Sequence, residues 1–83
     1  MESQRIQTRH KLPWMNAVKS SSIRSIGYDS RTSELYVQFL TESVYVYADV
    51  NEDVFVEFIT SQSKGIFFNR KIKDQYEYRP WPD

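Results

Sequence analysis

In two runs between Leu35 and Val50, broken by "TES", apolar side chains recur at every second position, and from Val54 onward they recur at helical spacing. In "ELYVQFL" Leu35, Val37 and Phe39 lie on one side of the chain, with Tyr36, Gln38 and Leu40 on the other. That is how side chains alternate along an extended strand. In "VYVYADV" Val44, Val46, Ala48 and Val50 alternate with Tyr45, Tyr47 and Asp49. "NEDVFVEFITS" then places Val54, Phe55, Phe58 and Ile59 as neighbours on one helix face. Asn51 or Asp49 suits the N-cap, and Glu52 and Asp53 suit the positive end of the helix dipole. A sheet followed by helices is therefore written into the spacing.

The extended pattern also runs backward. "SSSIRSIGYD" (Ser20 to Asp29) reads as a strand in which Ile23 and Ile26 are out of phase, which predicts a bulge between them. "DSRTSE" and "TES" read as turns. Strands are thus predicted near 20–28, 34–40 and 43–49, joined tightly enough to form an antiparallel meander. Helices are predicted over 51–60 and 64–73, the second opened by a Ser63 cap and held inward by Phe68 and Ile72, one turn apart. The fold class is α+β: a three-stranded antiparallel meander followed by two helices packed on one face of the sheet. Phe58 and Phe68 are expected to pack on an aliphatic face made of Leu35, Val37 and Val46. Tyr36, Tyr45 and Tyr47 are then left on the opposite face.

Eighty-three residues allow one domain, and thirteen aromatics supply the density that so small a core requires. Residues 1–16 are polar, basic and aperiodic, and read as a flexible or loosely docked extension. Residues 17–79 read as the domain and 80–83 as a tail. Trp14 is expected to dock and Trp81 to fold back. The first residues carry no apolar core of a signal peptide, and no stretch is long enough to span a membrane. Without cysteine there is no disulfide, and the chain suits a reducing cytoplasm. The formal charge of zero argues against attraction to nucleic acid by bulk charge alone. It conceals a local +4 in residues 1–24 (five bases, one acid), −6 in 25–60 (one base, seven acids) and +2 in 61–83 (five bases, three acids).

No catalytic constellation is visible. His10 is the one histidine, and it falls in the extension. No serine has a histidine partner in a structured segment, and Gly27 and Gly65 are too few for a Walker or Rossmann loop. The expectation is a non-enzyme without metal or cofactor. Two stretches carry binding chemistry. Tyr45 and Tyr47 share a strand face, where exposed rings stack bases at roughly 1–3 kcal/mol each; buried, they would be packing residues. In "SKGIFFNRKIKDQY" Ser63, Lys64, Gly65, Arg70 and Lys71 gather around a capped helix start that suits an anion. The plainer reading is a cap, a packing glycine and a solvated basic face.

"SSSIRSIGYD", the central "YVY" of Tyr45 to Tyr47 and "SKGIFFNRKI" occur in an order and spacing that resemble the KTSC domain family. That family is named for an appendage of some lysyl-tRNA synthetases, and it also occurs as small bacterial and phage proteins. The likeness runs from about Val18 to Tyr78. One departure is Asn51, where the family favours proline as the helix opener. The resemblance implies an α+β fold and suggests RNA as the partner. The alternative is a protein–protein interaction module with no nucleic-acid role.

Overall fold

The computed structural model describes residues 11–82. Most of the extension expected over residues 1–16, up to residue 10, lies outside the described residues. One antiparallel sheet is built from β1 (Met15–Ala17), β2 (Ile23–Asp29), β3 (Glu34–Phe39), β4 (Val44–Tyr47) and β5 (Tyr78–Trp81), in that spatial order. Between β4 and β5 the chain forms α1 (Glu52–Thr60) and α2 (Lys64–Phe67), the latter continuing as a π-helical turn (Phe68–Ile72).

The sheet thus has five strands where three were expected, and the added strands are its edges. β1 is only three residues long, too short to show a period. β5 contains Pro80, which lacks a ladder donor and reads as a strand breaker. An edge strand tolerates proline because one side of it needs no partner. The boundaries drawn at residues 16 and 79 both fall inside these edge strands. Trp14 does not dock: it is 82% exposed, with its indole N–H donating to the Asn16 side chain at 3.2 Å. Trp81 does fold in, as the last residue of β5.

The β2 register shifts between Ile23 and Ser25, as the phase of the two isoleucines predicts. The extra residue turns Ile23 and Ile26 to the same side, and both are fully buried.

The face assignment needs correction. Leu35 pairs with Tyr47 and Val37 with Tyr45, while Tyr36 pairs with Val46. Paired residues share a face, so Tyr45 and Tyr47 lie with Leu35 and Val37, beneath the helices. Tyr36, Val44 and Val46 form a separate cluster on the opposite face, against Met15 and Trp81. The three tyrosines do not share a surface, and Val46 is not under Phe58. The cause is turn parity. Phe39 and Ser43 close a loop of Leu40, Thr41 and Glu42 through Phe39 N to Ser43 O at 2.9 Å, with Glu42 in the left-handed region at φ 79°. A three-residue loop pairs odd positions with odd ones.

The main core joins Ile23, Ile26, Leu35, Val37 and Tyr47 of the sheet to Val50, Phe58, Phe68 and Ile72. Asn51 caps α1, accepting from the Asp53 amide at 3.0 Å. Phe58 is fully buried and stacks on Phe67, centroids 5.2 Å apart. Phe55 stacks on Tyr28, whose hydroxyl donates to the Val50 carbonyl. Ser63 caps α2 by accepting from the Ile66 amide at 3.3 Å. The π turn closes with the Lys73 amide donating to the Phe68 carbonyl five residues back, at 2.8 Å. Phe67 and Phe68, adjacent in sequence, are both consumed by packing: Phe67 on α1, Phe68 on the sheet.

Candidate functional site

The structure divides five of the seven residues singled out in the sequence between two clefts on either side of one short helical segment. Neighbouring residues Phe68 and Asn69 each line a different one.

The first cleft is polar, with a volume of about 420 Å³ between the chain leading into β2 and the start of α2. Ser63, Lys64 and Gly65 line one wall, and Lys19 with Ser20 to Ser22 the other. Several of its polar groups are already engaged. The Ser63 hydroxyl accepts from Ile66, the Lys64 ammonium donates to the Ser61 carbonyl, and the Ser20 hydroxyl accepts from the amides of Ser22 and Ile23. Gly65 serves close packing: a Cβ there would stand 3.3 Å from the Ser22 hydroxyl oxygen. Arg70 and Lys71 line neither cleft. They are exposed on the π turn and form no ion pair among the described residues.

The second cleft holds about 220 Å³ and is aromatic. Five rings form a closed circuit of contacts. Phe39 meets Tyr45 at 6.2 Å, Tyr45 meets Tyr78 at 5.6 Å, and Tyr78 meets Tyr47 at 5.7 Å. Tyr47 meets Phe68 at 5.8 Å, and Phe68 returns to Phe39 at 5.3 Å, both edge to face. Each contact lies in the range where offset or T-shaped pairs are favourable. The circuit is graded in exposure: Tyr47 is 5% exposed and Tyr78 59%. Lys73 and Asp74 complete the lining. Burial pushes the Tyr47 hydroxyl up to about 12, with the neighbouring Tyr78, Tyr45 and Asp74 adding to the shift. It stays protonated, able to donate, at any physiological pH.

Asp74 sits in the left-handed region at φ 65° and is pinned from both sides. The Lys73 amide bonds Phe68 O, and the Gln75 amide bonds Ile72 O at 3.0 Å. Among the described residues no group of three His, Cys, Asp or Glu could hold a metal ion. No helix among them is long and apolar enough to cross a membrane.

The KTSC domain model matches residues 19–76. The chain belongs to the KTSC domain family. The crystal structure of a KTSC domain protein from Yersinia pestis superposes with a TM-score of 0.79 at 37% identity, covering 81% of this chain and 94% of that one. An uncharacterized protein of Stutzerimonas stutzeri is 38% identical over 65 residues, 78% of this chain and 90% of its own length. A protein of Tsukamurella paurometabola is 32% identical over 62 residues, 75% of this chain and 92% of its own. In each relative the matched region is nearly the whole protein.

Four of the five circuit rings fall inside the KTSC match, and Tyr78, the most exposed, falls just beyond it. Reading the sequence missed Phe39, Phe68, Lys73, Asp74 and Tyr78 as members of this cleft, Phe68 having been read as a core anchor alone. A signal for Tyr78 was present. "YEYRPW" alternates Tyr76 and Tyr78 with Glu77 and Arg79, a period of two that the prolines obscure.

Proposed function

We propose that this KTSC domain is a small non-catalytic module that binds single-stranded RNA, seating a base at the aromatic cleft and phosphates along the basic π turn. The closed circuit of five rings, with Tyr78 and Tyr45 accessible at its rim, carries this reading. A cleft of about 220 Å³ is below the roughly 300–1,000 Å³ of most small-molecule sites, and suits one ring rather than a whole cofactor. Rings on a sheet are a recurrent way to hold unpaired bases. Arg70, Lys71 and Lys73 sit on or beside the turn that carries Phe68, whereas α1 exposes Glu52, Asp53 and Glu57. A molecule neutral in sum but polarised in this way orients a polyanion toward one end. The Ser63, Lys64 and Gly65 cleft is the second place where a phosphate of the same strand would lie. An RNA ligand and a chain free of cysteine both fit a cytoplasmic location.

The test is a binding titration with total bacterial tRNA at two salt concentrations. Wild type should bind at low salt and weaken steeply as salt rises, through counterion release. Arg70→Ala with Lys71→Ala should leave thermal stability unchanged and flatten the salt slope by roughly one unit per lost phosphate contact. Tyr78→Ala should weaken binding by about 1–3 kcal/mol, the worth of one stacked base. No binding at low salt would replace this reading with that of a protein–protein interaction module. Trp14, exposed beside the β1 edge, would then be the first residue to examine.

A further inference from the structure

Aromatic rings hold all four bases alike, because every base has a π face. Any selectivity of the second cleft therefore comes from the polar groups that line it. The lining residues that carry such groups are Asp74, whose charge acts on the Tyr47 hydroxyl, Lys73, and the three tyrosines Tyr45, Tyr47 and Tyr78. The hydroxyls both donate and accept, so they favour no base. The other two are one-sided: an ionised carboxylate only accepts and an ammonium only donates.

Guanine alone among the RNA bases has two neighbouring donors on its pairing edge, N1–H and the N2 amino group, with the O6 acceptor beside them. A carboxylate can accept both donors, one on each oxygen, while an ammonium donates to O6. Adenine and cytosine set one amino group beside a ring-nitrogen acceptor, which would face the second carboxylate oxygen. Uracil sets its single N3–H between two carbonyls. We infer that the aromatic cleft is guanine-selective, with Asp74 reading the N1–H and N2 amino donors and Lys73 the O6 acceptor. This rests on the RNA reading above and adds the base to it.

The backbone supports the assignment. Asp74 is held at φ 65° between two amide hydrogen bonds, Lys73 N to Phe68 O at 2.8 Å and Gln75 N to Ile72 O at 3.0 Å. The first of these closes the π turn that also places Phe68 in the ring circuit. The main chain that carries the acceptor is thereby fixed relative to Phe68 before a ligand arrives, as a discriminating site requires.

The experiment uses end-labelled nine-nucleotide oligouridines carrying G, A, C or U at the centre, titrated with the full chain at low salt and followed by fluorescence anisotropy. The oligomer with central G should bind roughly 5- to 150-fold tighter than the other three, the discrimination of one bidentate contact. Asp74→Asn, which tolerates the left-handed backbone, should remove that preference while leaving affinity for the other three equal or slightly higher. Tyr78→Ala should weaken all four to the same degree. Equal binding of all four by wild type overturns guanine selectivity and leaves the RNA reading standing. A guanine preference that survives Asp74→Asn overturns the role of Asp74. No binding of any oligomer overturns both.

Discussion

The chain has two glycines, and the same substitution should act on them in opposite directions. Gly27 lies in β2 opposite Met15 of β1, and a Cβ there would stand 2.5 Å from Met15 Sδ and 2.6 Å from the Trp14 carbonyl oxygen. The methionine end can swing away, but the carbonyl is backbone and yields only if β1 moves. Overpacking of this kind costs about 1–3 kcal/mol. An 83-residue domain has a total stability of roughly 4–12 kcal/mol, so that is a substantial share. At Gly65 the nearest atom to a new Cβ is the Ser22 hydroxyl, 3.3 Å away, a side-chain tip that can rotate. Alanine also favours the helix there by up to about 1 kcal/mol. Gly27→Ala should therefore lower the urea midpoint with no change in slope, and Gly65→Ala should leave it equal or raise it. Hydrogen exchange localises the effect: the Val18 amide, which donates to Arg24 O at 3.1 Å just beyond β1, should lose protection in Gly27→Ala. If Gly27→Ala stays within about 0.5 kcal/mol of wild type with Val18 still protected, the close docking of β1 on β2 is wrong.

Phe58→Ala should destabilise by about 3–5 kcal/mol in the same urea assay, since Phe58 is fully buried; a loss under about 1 kcal/mol would mean α1 presents another face. Ser63→Ala should cost about 1 kcal/mol by freeing the Ile66 amide, with Ser63→Asp restoring it; equal stability of wild type and alanine variant would show the cap to be idle. Tyr36 and Tyr47 are both raised to about 12, chiefly by burial, against an ordinary value near 10. A raised acid holds its proton better folded than unfolded, so this contribution is complete below about pH 10 and is lost as pH rises from about 10 to about 12. The melting temperature should fall over that window, less steeply in Tyr47→Phe, and a flat profile would contradict the burial of these hydroxyls.

How far the fold was legible depended on whether each signal was local. The bulge between Ile23 and Ile26 shows in their phase, and the caps at Asn51 and Ser63 show in residue type, because each is settled within a few positions. Register between strands is not local. Alternation shows that Leu35, Val37 and Phe39 share a side and that Tyr45 and Tyr47 share a side, and leaves open whether the two sides coincide. Three residues in the turn make them coincide, so the aromatic pair goes to the helices and Val44 and Val46 go to the other face. Supposing that aliphatic residues must line the main core led to the opposite assignment. The core instead accepts Tyr47, whose hydroxyl is next to the aromatic cleft. The edge strands were hidden for another reason: β1 is too short for a period, and Pro80 in β5 masks one.

The same register decides what kind of surface the tyrosines make. On the open face of the sheet, Tyr36, Tyr45 and Tyr47 would have been a flat platform. Beneath the helices Tyr47 is almost closed off, while the half-buried Tyr45 and the exposed Tyr78 stand at the rim. The most exposed ring of the circuit is supplied by β5, which pairs Tyr78 with Tyr47 and Pro80 with Tyr45. Among the described residues β5 pairs on one side only, so the cleft is complete only while that edge strand stays zipped to β4. Edge strands lie toward the low end of local stability. Shortening the chain before Tyr78 should accordingly leave α1, α2 and β2 to β4 folded, because Phe58, Phe68 and Ile72 pack on β2 and β3. It should remove the rim ring and abolish the stacking contribution to binding. Loss of binding with a retained cooperative melt is the expected result. Unchanged affinity in the shortened chain would place the working surface elsewhere, at the serine and lysine cleft on the far side of the same helical segment.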